Sequence, residues 1–487
     1  MADDEARETG GASPTEDSVD SDTDRKNSSR SGRRTRSSNR NRDLTKGSIR
    51  KHLWYLGWPQ VAEGALSVVD QLADLIWAGR IGFQAIAGLG AAQAYLSTIM
   101  MARMGLDSSM RSMIARAVGA GKVSYANHVL LQALTLTSIL AIIIIALIMW
   151  LTDFLLAIMG LSDAVINQAS GYMRVQIVAM MVLSFQRITG GALQASGDSM
   201  TPLRAATATR VSHLILSPFL IFGWIGFPEM GLVGAGVARL VAEFIGVAMN
   251  FHALSSGKTM LRLNLREYRL DIPLMWSILK LGAPASVTNM QRGISQLVVV
   301  GIAAQFGDIA IAVFALTRRT ENIVNQATRG LGRAAGALAG QNLGAGLVSR
   351  AKSSLGWALV FAIGFEIPVI LGLMLFPEAV AQFINGEPDF IATGAKWIFI
   401  AAIGYISMGL VQVFTQGFNT SGAMVAPMII TVSTMWLFEI PLAFILANYT
   451  SLGQFGVPWA IVAGMTIRLL FFVVYYFSGK WLRTGLL

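Results

Sequence analysis

The stretch Ala115-Arg116-Ala117-Val118-Gly119-Ala120-Gly121 has a twin 225 positions later, Gly340-Gln341-Asn342-Leu343-Gly344-Ala345-Gly346, in which the closing Gly-Ala-Gly is repeated in register. The same interval carries Gly57-Trp58-Pro59 onto Gly282-Ala283-Pro284, and Gly82 with Ala85-Ile86-Ala87 onto Gly307 with Ala310-Ile311-Ala312. It also carries Gly105-Leu106 onto Gly330-Leu331, and Ala126 onto Ala351. Ser196-Gly197 with Pro202 recurs, still without a gap, as Ser421-Gly422 with Pro427. Chance matching of small residues does not hold one register over so long a stretch. The chain is a duplicated unit.

What is duplicated is a membrane domain. Of the 487 residues, 54% are apolar and 14% charged, against about 25% charged in soluble proteins. The charge is also concentrated. Residues 1–52 hold 12 Lys/Arg and 10 Asp/Glu, leaving 26 basic and 18 acidic residues for the other 435. That is too little charge to coat a soluble globule of this size. A crossing helix needs about 20 apolar residues. Segments of that length fall near 53–79, 84–107, 126–151, 164–190, 203–226 and 231–254, then near 275–303, 309–334, 351–376, 389–414, 426–447 and 454–478. The expected architecture is therefore all-α and polytopic, with 12 transmembrane helices in two homologous six-helix lobes. Its parts are a tail at 1–52, an N-lobe at 53–254, a linker at 255–274 and a C-lobe at 275–487.

Charge orients the chain. Met1–Asp24 is acidic and rich in Ser, Thr and Gly, and Arg25–Lys51 is basic. With few apolar residues to bury, the tail is expected to be disordered. No apolar region precedes a cleavage-type site, so it does not read as a secretory signal. A basic run directly before a hydrophobic span reads as an anchor against anionic lipid headgroups rather than a nucleic-acid arm. Lys258, Arg262, Arg266 and Arg269 follow span six, Arg350 and Lys352 follow span eight, and Lys480 and Arg483 follow span twelve. The opposite loops carry Asp153, Asp163, Glu229, Asp308, Glu378, Glu387 and Asp389. This positive-inside pattern places both termini in the cytoplasm of a cell-membrane protein.

Six spans per half insert both halves in one orientation, related by an axis along the membrane normal. Two such bundles enclose a midplane cavity, and rocking one against the other gives alternating access. The physical reading is a secondary transporter. An enzyme lacks support: there is no cysteine, no His-Glu-x-x-His and no Gly-x-Ser-x-Gly. Ser256-Gly257-Lys258-Thr259 resembles the end of a phosphate loop, but His252 stands where its first glycine belongs. No metal or other cofactor is expected, the four histidines being scattered. The expected partners are a small-molecule substrate and membrane lipid, not nucleic acid, and the expected state is a monomer.

Span one reads Pro59, Asp74 and Gly79, and span four ends in Gln194-Ala195-Ser196-Gly197-Asp198-Ser199-Met200-Thr201-Pro202. With the paired 115–121 and 340–346 loops, the order and spacing resemble the multidrug and toxin extrusion (MATE) family, over residues 53 to about 478. That family lies within the wider group that includes flippases of lipid-linked oligosaccharides. The resemblance implies a V-shaped two-lobe antiporter expelling organic cations in exchange for Na⁺ or H⁺.

Within span one, Glu63, Asp70 and Asp74 are spaced by 7 and 4 residues and share one helix face. Each would cost about 2.5–3.5 kcal/mol or more against lipid, so the stripe must face the interior or water. Asp74 falls on the family's span-one aspartate, and Glu63 is expected to be a solvated or paired end residue. The sodium-site pattern of one subfamily is altered. His213 stands at its Asn position, Ser217 at its Asp position, and Arg239 at a threonine position. Arg239 can act as counter-charge to Asp74, with Glu243 one turn on. Protonation of Asp74 with His213 as relay is therefore the expected coupling, Na⁺ the alternative. In the C-lobe, Arg292, preceded by Gln291, occupies a glutamate position of some members, and Glu321 is expected to pair with Arg318 or Arg319. Glu366 and Glu439 read as partners of these arginines or as cavity liners. Arg292, Arg318 and Arg319 are expected to make the C-lobe cavity positive.

The leading reading is a secondary active antiporter exporting amphipathic, drug-like and cationic molecules for H⁺ or Na⁺. The alternative is a flippase of lipid-linked anionic precursors on the same fold. Deleting residues 2–42 is expected to spare transport and to change membrane insertion or abundance. Proteoliposome flux and immunoblotting of membranes separate the two effects.

Overall fold

The structure, a computed structural model, describes residues 43–483 apart from Gly82, residues 160–162, Leu265 and Glu267. The acidic-then-basic segment 1–42 and the Gly82 member of the repeat lie outside the described residues. These form helices and turns, without a strand among them. The first half folds into α1 (Ile49–Ile81), α2 (Phe83–Gly119), α3 (Val123–Ile158), α4 (Asp163–Ala195), α5 (Met200–Phe222) and α6 (Gly231–Ser255). The second folds into α7 (Ile272–Ala304), α8 (Asp308–Gly344), α9 (Val348–Leu375), the short α10 (Pro377–Ile384) and α11 (Pro388–Ser421). One further span joins α12 (Val425–Thr434) through a π-helical turn, Met435–Glu439, to α13 (Ile440–Tyr449); α14 (Gly456–Ser478) follows. These are twelve crossings in two six-helix lobes. The repeat is kept to the residue where it matters most: α2 and α8 start and stop 225 positions apart.

Eight of the crossings are long and apolar enough to span a membrane by length and composition alone. The other four are α1, α2, α7 and α8, two repeat-related pairs, and these build the contact between lobes. Polar residues on them, such as Asp70 and Arg292, meet other helices inside the bundle, the tolerable place for them. Outer helices show the reverse pattern: Ile142, Trp150 and Phe154 of α3 are exposed, as a lipid-facing stripe should be.

The chain is fixed earlier than the expected start of span one. Leu44 is fully buried, Arg350 Nη1 donates to Gly47 O at 3.0 Å, and Arg50 lies 3.7 Å over the Trp357 ring. Residues 43–52 thus dock on the C-lobe, and the expected tail boundary at 52 moves back. The linker ends at Asp271, which caps α7 by accepting from Leu274 N–H at 2.9 Å and stands 3.2 Å from His128 Nε2 of α3. Those bonds hold its carboxyl below the usual carboxylate range. The stability they give is present above that range and is lost as pH falls through the lowered value.

At the end bearing the basic loops the lobes meet in a self-complementary seam. Arg116 Nη2 donates to Ser421 O at 2.8 Å, and Gln341, its repeat mate, donates through Nε2 to Ala195 O at 2.8 Å. Gly119 faces the Gln341 carbonyl and Gly344 faces the Arg116 carbonyl, so closely that a Cβ on either would collide. Gly105 meets Gly282 in the same way, while a Cβ on Gly330 would come within 3.0 Å of the Gln60 backbone. Residue pairs exchanged by a two-fold operation are the mark of an isologous interface, here within one chain. The chain has no native cysteine, so Ser421→Cys provides a clean reporter. Labelling by an impermeant maleimide is expected to be slow in the single variant and at least several-fold faster when Gly119→Leu wedges the seam. Equal rates would show that the seam does not close this end.

Candidate functional site

A charge cluster sits inside the N-lobe, on α1, α5 and α6. Asp70, 1% exposed, is its hub. Its Oδ1 lies 2.6 Å from His213 Nδ1, and its Oδ2 accepts from Arg239 Nη2 at 2.6 Å and Arg210 Nη1 at 3.0 Å. One turn further along α1, Asp74 reaches Arg239 Nη2 at 3.1 Å and lies 3.6 Å from His213 Nε2. Glu243, one turn from Arg239 on α6, is turned to Arg210 at 3.2 Å, and its second oxygen is buried without a hydrogen bond. The helix period explains the convergence: positions 70 and 74, 210 and 213, and 239 and 243 each share a face. Three carboxylates face two guanidiniums and one imidazole. The cluster is neutral when it holds one proton.

The cluster does not resemble a sodium cage. Sodium needs several free oxygen ligands, yet Asp70 spends both oxygens on nitrogen donors and Asp74 faces Arg239 and His213. Ser217 donates its Oγ to His213 O at 2.7 Å, a local bond along α5.

Asp70, Asp74, His213 and Arg239 are therefore brought together, with Ser217 one turn away. Gln291 and Arg292 are not. Both lie on α7 in the other lobe, where Gln291 Nε2 lies 3.0 Å from Met435 Sδ and its Oε1 accepts from Trp436 Nε1 at 3.1 Å. Arg292 Nη1 donates to Gln412 Oε1 at 3.3 Å. Arg318 pairs with Glu321, as expected. Glu439 pairs with Arg468 Nη2 at 2.7 Å, a partner the sequence reading did not name. Glu366 is fully buried against Gly409 with neither oxygen hydrogen-bonded. Neither acid pairs with Arg292, Arg318 or Arg319, and neither lines the cavity between the lobes.

Between the lobes lies a cavity of about 180 Å³, walled by α1, α2, α4, α5, α6, α7, α8 and α11. Its guanidiniums belong to Arg111, Arg187, Arg210, Arg329 and Arg333, and its carboxylates to Glu63 and Asp107. The positive wall expected from Arg292, Arg318 and Arg319 is thus built by other residues, on both lobes. Glu63 is no end residue either: it stands in this wall and accepts from Gln194 Nε2 at 3.3 Å. Sequence gave one missed signal, because Arg329 and Arg333 are four residues apart on a helix already rich in glycine and alanine.

Removing one partner from a buried ion cluster strands the rest, at about 3–5 kcal/mol. Asp70→Ala is expected to cost about that much in thermal unfolding of the detergent-purified protein. Asp74→Ala, whose carboxylate is 18% exposed, should cost less than half of it; a larger loss would make Asp74 the hub.

The chain is 26% identical over 435 residues to the probable multidrug resistance protein YoeA of Bacillus subtilis, covering 86% of this chain and 91% of that one. It is 25% identical over 376 residues to a protein of Shewanella oneidensis named FAD transporter, with 76% and 82% covered. A solved Pyrococcus furiosus transporter of the MOP superfamily, described by a binding pocket of reverse polarity, superposes with a TM-score of 0.84. That match covers 91% of this chain and 98% of the other at 22% identity, which shows a shared fold. The MatE family model matches twice, at residues 59–219 and 284–445, once in each lobe. The duplicated six-helix lobes, their seam and both halves of that match make this chain a member of the MATE family of multi-pass membrane transporters.

Proposed function

We propose that the chain is a secondary active exporter of amphipathic small molecules, driven by protons entering the N-lobe cluster. It would act in the cell membrane with its basic loops in the cytoplasm. The observation that carries this reading is the odd charge count at Asp70, Asp74, Glu243, Arg210, Arg239 and His213. Such a group changes net charge by one proton without leaving the bundle, and an intramembrane ionisable cluster of this kind suits a proton relay. Occupation of the carboxylate oxygens by guanidinium and imidazole favours H⁺ over Na⁺ as coupling ion.

The mechanical link is α1. Protonating Asp70 or Asp74 weakens the pairs that tie α1 to α5 and α6. The same helix carries Pro59, whose ring leaves one helical bond unmade, and Gly64, where an added Cβ would come within 3.2 Å of Gln326 Cβ on α8. A bend there shifts the α1–α8 contact and with it the cavity wall at Glu63 and Ser67. Cargo would enter from the cytoplasmic side once the cluster has lost its proton and the seam has opened.

A second reading, a flippase of lipid-linked anionic precursors, is favoured by the arginines of the cavity. The relative named FAD transporter and the neighbour with a pocket of reverse polarity are consistent with cargo other than organic cations.

Proteoliposomes separate the coupling ions. With imposed proton or sodium gradients, ethidium, carboxyfluorescein and a neutral dye serve as cargo. At least one is expected to move under the proton gradient, with flux reduced about tenfold or more in Asp70→Asn. Flux under the sodium gradient alone, or an Asp70→Asn protein as fast as wild type, would overturn the proton reading.

A further inference from the structure

We infer that the cavity between the lobes is a binding site for an anion of at least two negative charges, a phosphate- or carboxylate-bearing cargo. The inference rests on the transport reading only in treating the bound molecule as cargo.

The five guanidiniums of the cavity are not equally satisfied. Arg111 is held by Asp107 at 3.0 Å and by Gln194 at 2.5 Å, and Arg210 by Asp70 and Glu243. Arg187, Arg329 and Arg333 form no ion pair with any described residue, and the Nε atoms of Arg329 and Arg333 are buried without a hydrogen bond. Inside a membrane bundle an uncompensated guanidinium is costly, and two on one helix face repel each other as well. With Arg111 matched by Asp107 and Arg210 by the acids of the N-lobe cluster, Glu63 alone stands against Arg187, Arg329 and Arg333, an excess of two positive charges.

These three arginines are not a residue of the duplication. The repeat mates of Arg187, Arg329 and Arg333 are Gln412, Met104 and Ser108. Each lobe therefore supplies cations that the other lacks, and they meet only in the assembled cavity. Guanidiniums present paired donors to phosphate or carboxylate oxygens, a geometry that compact ammonium groups cannot match. Asn289, Gln326 and Asn419 add amide groups to the same wall. An organic cation entering here would meet net positive charge and lose its hydration without a partner. Expelling an anion from a negative-inside compartment also runs with the membrane potential. The cationic cargo expected from the family resemblance does not suit this wall.

The test is binding to the full-length protein in detergent at low salt, with carboxyfluorescein, pyranine and inorganic pyrophosphate as anions and ethidium as the matched cation. Anisotropy follows the dyes, and displacement of carboxyfluorescein follows pyrophosphate. At least one anion is expected to bind saturably and to weaken with salt. Arg329→Gln and Arg333→Gln should each weaken it about tenfold, the lysine variants less, and the surface variant Arg174→Gln not at all. Thermal unfolding of each variant shows whether it is folded. Should a glutamine variant fail to fold, its lysine counterpart and Arg187→Lys carry the comparison. Displacement by phosphatidic acid in nanodiscs assigns the site to a lipid-borne anion, and its failure to a free one. Ethidium binding with no anion binding, no binding by any of the three anions, or folded variants that bind as wild type would overturn the inference. Anion binding without proton-driven flux would sink the coupling proposal alone. Proton-driven ethidium export without anion binding would sink this inference alone.

Discussion

An ionised side chain inside a bilayer has to find a counter-charge or water, and that constraint arranges most of this molecule. The bundle's charged residues sit mainly on helices turned toward the interior. Where they can close in pairs, they do: Arg318 with Glu321, and Arg468 with Glu439 at a site 1% exposed on both sides. Where pairing is incomplete, two features result. One is the N-lobe cluster, three acids against two arginines and a histidine. The other is the cavity, with three guanidiniums lacking a partner among the described residues. Closed pairs contribute structure; the two incomplete sets have capacity left for a proton and a ligand.

Symmetry and its breaking divide the labour. The duplicated positions Gly119 and Gly344, and Arg116 and Gln341, make a seam in which each lobe does to the other what is done to it. Such an interface suits opening and closing, because both halves release together. The chemical groups are distributed without symmetry. Asp70 has Ser295 as its repeat mate, and Glu243 has Arg468. The N-lobe thereby gained a titratable cluster while the C-lobe kept a closed ion pair beside its π-helical turn. Duplication supplied the frame, and divergence between the copies supplied the sites.

Arg210 belongs to both sites. It donates to Asp70 and Glu243 in the cluster and also stands in the cavity wall. A change of protonation at Asp70 therefore alters the charge felt by cargo through one side chain, with no long chain of contacts required. The short path is a consequence of packing α5 between α1 and α6, since all three helices present their polar faces to one another.

The sequence by itself determined the twelve crossings, the two lobes and their relation, because hydropathy, charge bias and a fixed 225-residue interval are properties of order along the chain. It also put Asp70, Asp74, His213 and Arg239 in one group, since helical spacing and the resemblance both pointed at those positions. Tertiary structure decided the rest. It made Asp70 the hub instead of Asp74, moved Glu63 from a helix end to the cavity, and sent Gln291 and Arg292 to a different part of the molecule. It also collected Arg187 and Arg210 from α4 and α5, and Arg329 and Arg333 from α8, around one space. Periodicity tells which residues share a face of one helix. Which faces meet depends on how helices distant in sequence pack, and only that packing fixes the sum of charge at a point.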